Sequence, residues 1–560
     1  MNARRTEEPH GSCIHQILNT SPNNKYKLWD VIVKIKNQKI AGAVLAGAGL
    51  LVGSAATAGE GDYSINFGGY VRAQTAMFLE DQEETSGDDT GEFGMARLSL
   101  QLEMDARTGP LSWKAVGRID KEHQTGYLDD LEDRTEVTSP GGFATTEDYL
   151  DQYDTDSFED FLRELYVDFS LGDRVDVRLG KQQLVWGESD FFQAMDLIHG
   201  YDYRKRLFFE NNEDWRKPLT LANFRVDVHE LDGSLNLFVR PGGIDRDEDM
   251  GSSYNIEGGR WIPHPYRGVD FTAFTDYNTD HKDGDWDDTT YGIRWNGTAG
   301  SIGYSFAYLK TFNPLPIMNP AANSIVPGLF GVGAMQSYGE LATNQVLGDW
   351  IFPEIEVYGL TVNGYSAGMD ATWSAEFAYI PNKPYNFGQL QSALPGWGGV
   401  KEKDTLVTML RIDKELKLMD WLGTHRPSLS SIQLFDTWIM GYDKDDEIVE
   451  FASFGASKKE HTTYLTLFTL LNYKRDTINP SFVIGTDLSN GGGFAIPAVE
   501  LVFGDAWRVK AEMDLWWNDG DRKHADPTGM NPLGISENSA TLFDWFGSDN
   551  QLVVSVKRQF

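Results

Sequence analysis

Arg97-Leu98-Ser99-Leu100-Gln101-Leu102-Glu103-Met104-Asp105 is a run in which every second side chain is apolar and the others are polar or charged. Successive side chains of a β-strand point to opposite faces, so this period of two predicts a strand with one apolar and one polar face. Leu98, Leu100, Leu102 and Met104 share the first face, and Arg97, Ser99, Gln101, Glu103 and Asp105 the second. The pattern recurs immediately. Trp113, Ala115, Gly117 and Ile119 alternate with Lys114, Arg118 and Asp120, and Leu165, Val167, Phe169 and Leu171 alternate with Glu164, Tyr166, Asp168 and Ser170.

Further along, such strands come in pairs joined by turn residues. Tyr291, Ile293 and Trp295 lead through Asn296-Gly297-Thr298-Ala299-Gly300 into Ile302, Tyr304, Phe306 and Tyr308. Pro497, Val499, Leu501 and Phe503 turn through Gly504-Asp505 into Trp507, Val509, Ala511, Met513, Leu515 and Trp517, and Asp232-Gly233 is another tight turn. Between hairpins lie long, acid-rich stretches at 80–92, 122–160, 241–289, 311–353, 381–403, 440–460 and 518–541. Short turns at one end and long loops at the other are the layout of a transmembrane barrel, whereas a soluble sandwich sends the apolar faces inward.

The C-terminus decides between them. The chain ends Leu552-Val553-Val554-Ser555-Val556-Lys557-Arg558-Gln559-Phe560, a strand running into a terminal aromatic, where a soluble chain frays into polar residues. Bacterial outer-membrane barrels close on such a strand, and Phe560 resembles the signal read by the barrel-assembly machinery; Arg558 departs from that pattern, standing where another apolar residue is usual. The expectation is an all-β fold, a transmembrane antiparallel barrel of roughly 16 strands (14–18).

Composition agrees. The 560 residues carry 49 Lys+Arg against 84 Asp+Glu, a net charge of −35 that excludes a nucleic-acid partner, because phosphate neutralisation needs clustered cations. Aromatic residues make up 12%, more apolar surface than a disordered chain carries, and the single Cys13 excludes a disulfide framework or thiolate metal cluster. Basic Lys34-Ile35-Lys36-Asn37-Gln38-Lys39, apolar Ile40–Ala56 and the small-x-small Ala56-Thr57-Ala58 are the three parts of a secretory signal peptide, cleaved near Ala58/Gly59. A start codon assigned too far upstream, with Val33 the true start, would account for residues 1–32. Two segments follow, a leader at 1–58 and one barrel domain at 59–560, located in the bacterial outer membrane among lipid and lipopolysaccharide.

The most distinctive stretch is Val175-Asp176-Val177-Arg178-Leu179-Gly180-Lys181-Gln182-Gln183-Leu184-Val185-Trp186-Gly187-Glu188-Ser189-Asp190, preceded by Leu162-Arg163-Glu164-Leu165-Tyr166-Val167 and followed by Trp215-Arg216-Lys217-Pro218-Leu219. It resembles a family of Gram-negative outer-membrane proteins of unknown function, number thirteen-oh-two of the domain-of-unknown-function series, at motif level over about residues 160–220. The resemblance implies a large barrel in settings tied to lipid, steroid or other hydrophobic compounds, with a periplasmic partner and an inner-membrane exporter encoded nearby.

With the apolar faces assigned to lipid, the opposite face holds Arg97, Glu103, Lys114, Arg118, Glu164, Asp168, Arg178, Arg225, Arg294, Glu376, Glu500, Arg508, Lys510, Glu512 and Asp514. They must line the interior, since a midplane Arg or Lys facing hydrocarbon costs about 2–4 kcal/mol. Mixed signs predict mutual pairing and weak bulk ion selectivity. After Gly187 the alternation breaks, and Glu188–Glu210 takes on a helical spacing (Phe191, Met195, Ile198) with Arg204, Lys205 and Arg206. Such a segment suits an in-folded constriction or an ordinary loop, and Arg178, Gln182, Trp186, Glu188, Arg204 and Arg206 are the constriction candidates.

Catalytic motifs are few. Gly364-Tyr365-Ser366-Ala367-Gly368 matches the hydrolase elbow, but the elbow needs a helix after the serine, and Trp373, Ala375, Phe377 and Tyr379 here alternate as a strand. No histidine pair has zinc spacing and no P-loop or dinucleotide fingerprint occurs. Asp280-His281-Lys282-Asp283-Gly284-Asp285-Trp286-Asp287-Asp288 is rich in carboxylates without EF-hand spacing, so no cofactor is expected beyond loose Ca2+ or Mg2+ at acidic loops. The leading expectation is a non-enzymatic channel or transporter passing a solute, hydrophobic or amphipathic, between exterior and periplasm. A secreted β-rich adhesin or polysaccharide binder is the alternative, and an outer-membrane hydrolase the third.

Overall fold

The computed structural model describes residues 63–82, 85, 87–131, 153–204, 206–242, 260, 275–278, 288–320, 338, 348–388, 396–450, 456–519, 542–547 and 549–560. The leader and most of the acidic run 280–288 therefore lie outside the described residues. Residues 57–155 and 159–560 form one compact unit, the barrel; of the other, 1–56 with 156–158, only the last three residues are described.

Eighteen strands form the barrel sheet. In chain order they are β1 (Tyr63–Phe78), β2 (Phe93–Thr108), β3 (Leu111–Glu122), β4 (Leu162–Leu171), β5 (Val175–Gln182) and β6 (Leu219–Val228). Then come β7 (Gly233–Arg240), β8 (Thr290–Ala299), β9 (Ile302–Phe312), β10 (Glu354–Ser366), β11 (Ala371–Phe387) and β12 (Gly399–Leu416). The last six are β13 (Ser428–Ile439), β14 (His461–Leu470), β15 (Ile478–Asp487), β16 (Gly493–Phe503), β17 (Trp507–Trp517) and β18 (Gln551–Gln559). Each pairs antiparallel with the next, and β18 pairs antiparallel with β1 from Tyr70↔Gln559 to Phe78↔Gln551, which closes the sheet. Closure leaves no strand edge to carry unpaired backbone groups into lipid. Beyond the last strand, Phe560 donates its backbone N–H to Gly69 (3.1 Å) and accepts from it (3.2 Å).

The strand number is eighteen where roughly sixteen is the sequence expectation, at the upper end of 14–18. One of the acid-rich stretches is shorter than its composition suggests: β11 runs to Phe387 and β12 starts at Gly399, so 381–403 reduces to a connection at 388–398. A bulge between Ile380 and Lys383 carries the pairing past Pro381, which cannot donate to a ladder. Likewise Asn296–Ala299 belong to β8, leaving Gly300-Ser301 as the turn. The hairpin reading of Ser366 holds, since β10 ends there and turns into β11.

The alternation sorts the faces. Leu98 (54% exposed), Leu165, Ile293, Phe306, Leu410 and Leu467 lie on the outside, while Arg97, Ser99, Arg118, Asp120 and Glu376 are buried within. Aromatic side chains mark both rims of the apolar band. Tyr291, Tyr308, Tyr358 and Tyr379 stand ring to ring across β8–β11 at the long-loop end, and Tyr365, Phe503 and Trp507 stand exposed at the short-turn end. On β17 the outward Trp507 and Trp517 are ten residues apart. At about 3.4 Å per residue and a tilt near 40–45°, that is about 25 Å of membrane normal, the height of a barrel's hydrocarbon band. Arg558 is on this outer face by Trp507, its guanidinium 5.7 Å from the ring, at the rim where a cation reaches water. No described helix is long and apolar enough to cross a membrane. A transmembrane outer-membrane barrel accounts for all of this.

Candidate functional site

The connection from β5 to β6, residues 183–218, enters from the long-loop end and lies inside the barrel. Its helical spacing is not realised: apart from a 3-10 turn at Leu207–Phe209 and a helical turn at Asn212–Trp215, it is irregular. The physical reason is that its apolar side chains are satisfied by different walls. Trp186, Met195 and Ile198 pack with Leu219 and Leu221 of β6, Phe238 of β7, Leu309 of β9, Ile355 and Val357 of β10, and Ala378 and Ile380 of β11. Phe192 instead stacks on Tyr464 of β14, and Tyr201, Tyr203, Leu207 and Trp215 join Phe494, Ile496 and Trp516 of β16 and β17. A single helix could not offer one stripe to all of them.

Backbone pairing holds the insert in shape. Asp202 donates to Trp215 (2.7 Å) and Lys217 to Gly200 (3.0 Å), folding the segment back on itself. His199 ties both ends: Leu184 N–H is 2.9 Å from its Nε2, and its Nδ1 is 2.7 Å from the Lys217 carbonyl, the tautomer with a proton on Nδ1. Two wall glycines leave room for side chains of the insert. A Cβ on Gly292 would lie 2.6 Å from the rings of Trp186 and Phe238, and one on Gly359 would strike the Met195 side chain.

Charge secures the rest. The Glu210 carboxylate bridges Arg72 of β1 (3.3 Å) and Arg97 of β2, all three side chains at most 8% exposed. Asp214 takes Arg118 of β3 (2.8 Å), and Arg206 reaches Glu512 (2.6 Å) and Asp514 (2.8 Å) of β17. Burial pushes the Glu210 carboxyl up, but Arg72, Arg97, Arg206 and Arg118 outweigh it and hold its pKa well below the carboxylate range. On the opposite wall Glu376 of β11 accepts the backbone N–H groups of Glu188 and Met195 (3.2 Å to the latter). Arg411 of β12 donates to the Glu188 carbonyl (2.6 Å) and pairs with Asp190 (3.1 Å).

Of the constriction candidates, Trp186 is buried, edge-on to Phe238, with its indole N–H on Asn236 (3.0 Å). Glu188 accepts from Asn363 of β10 (2.7 Å), Arg204 pairs with Asp202 (2.9 Å), and Arg206 is the buried cation just described. Gln182 is fully buried at the end of β5 and donates to the Leu221 carbonyl (3.1 Å). Arg178 is not brought to the insert: its side chain grips Asp168 on β4 (2.7 Å) over the Tyr166 ring. Among the wall candidates, Arg97, Arg118, Glu376, Glu512 and Asp514 meet the insert, while Lys114 pairs with Glu103 (3.0 Å) and Lys510 with Glu512. Arg225 pairs with Asp227 (3.2 Å) and Arg294 donates to Thr361 (3.3 Å). Arg508 and Glu500 stay on the wall near the short turn at 504–506, Glu500 in register with Lys510.

The interior differs from the expectation in one respect: a charged lining covers only part of it. Charges crowd β1–β3 and β17, whereas Leu309, Ile355, Val357, Met409 and Phe435 point inward along β9–β13 and are covered by the insert. Arg72, Asp196, Glu210, Asp214 and Arg216 are absent from the sequence candidates. Arg72 obeys the same alternation between Val71 and Ala73, but nothing local distinguishes Glu210 and Asp214 from the many other loop acids. Between the insert and β2–β4 remains a cavity of about 600 Å³, walled by Gln101, Glu103, Lys114 and Glu164 on one side and Val185, Glu188 and Glu213 on the other. Among the described residues no group of three or more His, Cys, Asp or Glu could hold a metal ion.

An eighteen-stranded outer-membrane barrel with a segment folded across its lumen is therefore the class of protein that fold and site define. The chain belongs to the family described as "Protein of unknown function (DUF1302)", whose model matches residues 39–560. No curated protein matches the sequence. Solved structures similar to it include OmpF of Salmonella typhi in complex with daunomycin, at 9% identity and a TM-score of 0.38, with 89% of this chain and 98% of that one covered. Also similar are the outer-membrane channel DcaP of Acinetobacter baumannii (8%, 0.38, covering 90% and 100%) and OccAB4 of the same organism (7%, 0.43, covering 89% and 98%). Likenesses of this order carry no argument about what passes through this chain.

Proposed function

We propose that this protein is an outer-membrane channel that passes a solute between exterior and periplasm by selection rather than covalent chemistry. One observation carries the reading. The 183–218 segment lies in the lumen and is anchored to strands around much of the circumference, by Glu210 and Asp214 on β1–β3, Trp186 and Met195 on β6–β11, Asp190 on β12 and Arg206 on β17. Such a segment sets a cross-section narrower than the barrel itself, with side chains fixed by packing and ion pairs rather than left on a loose loop. The cavity beside it, about 600 Å³, falls within the range of about 300–1,000 Å³ typical of small-molecule sites. Valines at its margin, Val116 and Val185, beside carboxylates suit an amphipathic solute. A periplasmic partner and an inner-membrane exporter would receive or supply that solute.

Purified protein reconstituted in a planar bilayer tests this. Discrete conductance steps are expected, and both conductance and solute flux should change in Glu188→Ala and Trp186→Ala but not in Ser366→Ala, whose hydroxyl sits at a hairpin turn. Correctly assembled protein that passes neither ions nor solute would refute the reading.

A further inference from the structure

Most charges on the barrel wall pair with one another or meet the insert, but those around the cavity do not balance. Six carboxylates and three cations line it. All three cations are engaged: Lys114 lies between Glu103 (3.0 Å) and Asp105 (3.2 Å), and Arg216 is 2.5 Å from Asp196, which lies outside the lining. Arg163 donates to the backbone carbonyls of Glu213 (2.9 Å), Asp214 (3.2 Å) and Arg216 (2.8 Å), so it braces the insert. Three of the carboxylates are engaged too, Glu103 on Lys114, Asp190 on Arg411 and Asp214 on Arg118.

Glu164, Glu188 and Glu213 are left over. Among the described residues none of the three has a cation within ion-pair distance: Glu164 bonds the neutral amide of Gln183, with Arg163 and Lys114 farther off, and Glu188 accepts from the neutral amide of Asn363, with Arg294 farther off. They stand on three separate pieces of chain, β4 and the two limbs of the insert, and all border the same space. Glu103 and Lys114 lie a few residues from the turn at 109–110, so the cavity reaches toward the short-turn end of the lumen, the periplasmic end in barrels of this kind. A concave space whose lining carries an excess of one sign of charge between low-dielectric walls focuses the field and concentrates counter-ions.

We infer that Glu164, Glu188 and Glu213 make this vestibule a selectivity filter for cationic solutes, organic ammonium ions included. The inference rests on the channel reading and specifies the solute class for the same lumen. It replaces weak bulk selectivity with a cation preference that originates at three side chains. An ammonium group would pass these carboxylates in turn, with its apolar portion against Val116 and Val185.

The test is the reversal potential of the full-length reconstituted protein across a KCl gradient, repeated with tetramethylammonium chloride. Expected is a K⁺ over Cl⁻ permeability ratio of several-fold, with tetramethylammonium also preferred over Cl⁻. The triple variant Glu164→Gln/Glu188→Gln/Glu213→Gln should bring both ratios close to unity, while Glu230→Gln in the short turn between β6 and β7 should leave them unchanged. Heat-modifiable migration on gels confirms that each variant is assembled; should the triple variant not assemble, the Glu164→Gln and Glu213→Gln single variants must each lower the ratio. A conducting wild type without cation preference, or an assembled variant with an unaltered ratio, overturns the inference and leaves the channel reading standing. Absence of conductance from assembled wild-type protein overturns both.

Discussion

Replacing Glu210 by Gln removes the carboxylate that holds two arginines at once. Glu210, Arg72 and Arg97 have side chains 6%, 8% and 0% exposed, so the substitution leaves guanidinium charge buried against a neutral amide. Taking one partner from a buried ion pair costs about 3–5 kcal/mol, most of it the uncompensated charge that stays behind. Arg72 keeps Asp214 at 3.4 Å, so the lower end of that range applies to it, and Arg97 keeps its hydrogen bond to the neutral Gln74 (2.8 Å), with Asp120 and Glu122 farther off. The charged limb, 206–216, would then shift toward an undocked state by about two to three orders of magnitude, at 1.4 kcal/mol per factor of ten. The other limb should stay, because Trp186, Met195 and Ile198 are buried in the apolar wall, each contributing about 1.5–3 kcal/mol. Trypsin reads this directly, since Arg204 and Lys205 border that limb and Arg206 begins it. Glu210→Gln should be cut there at least a hundredfold faster than wild type and should show added open-channel noise, with Glu210→Asp in between. Unchanged cleavage and noise in assembled Glu210→Gln would refute the claim that the ion pairs dock the limb.

Further outcomes follow from the same geometry. The folded pKa of Glu210 is depressed, so its contribution is fully present above the unfolded value of about 4.3 and is lost only as pH falls through the folded one; the excess of single-channel noise in Glu210→Gln over wild type should therefore stay constant from pH 7 to about pH 4.5 and shrink in stronger acid. Gly292→Val should displace Trp186, whose ring lies 2.6 Å from the new Cβ, destabilising the insert by about 1–3 kcal/mol as overpacking does and lowering the threshold for heat-induced changes in conductance. Deleting Phe560 removes the last two backbone bonds of the seam to Gly69 and should reduce the amount of assembled barrel without reducing synthesis, as quantified in membrane fractions. Mass spectrometry of the outer-membrane protein should find the N-terminus at Gly59 or within a few residues of it; Met1 retained would contradict the leader reading.

The short-range rules were sufficient for the wall. Alternation in 97–105 identifies which side chains meet lipid, because a period of two leaves only two faces and hydrocarbon accepts only one of them. Phe560 points to closure for a related reason: backbone groups on an open edge in lipid have nothing to pair with. Strand ends were less legible. Polar runs at 381–387 and 399–403 still pair, since above the band a strand needs no apolar face. The insert was legible as an interruption after Gly187 and as a cluster of three cations, not as a conformation.

By itself, then, the sequence determined the class of fold, the orientation of nearly every wall side chain and the place where the strand pattern breaks off after Gly187, because each depends on neighbours within a few residues. Only the tertiary structure decided which charges meet. Glu210 finds Arg97 across 113 positions and Arg206 finds Asp514 across 308; alternation places Asp514 on the inner face, but nothing local names its partner or separates Glu210 from the other loop acids of an acidic chain. The tertiary structure also decided that Leu309, Ile355 and Phe435 face inward onto the insert: an apolar residue on a barrel strand satisfies local rules on either face, and only the presence of a partner in the lumen makes the inner one dry.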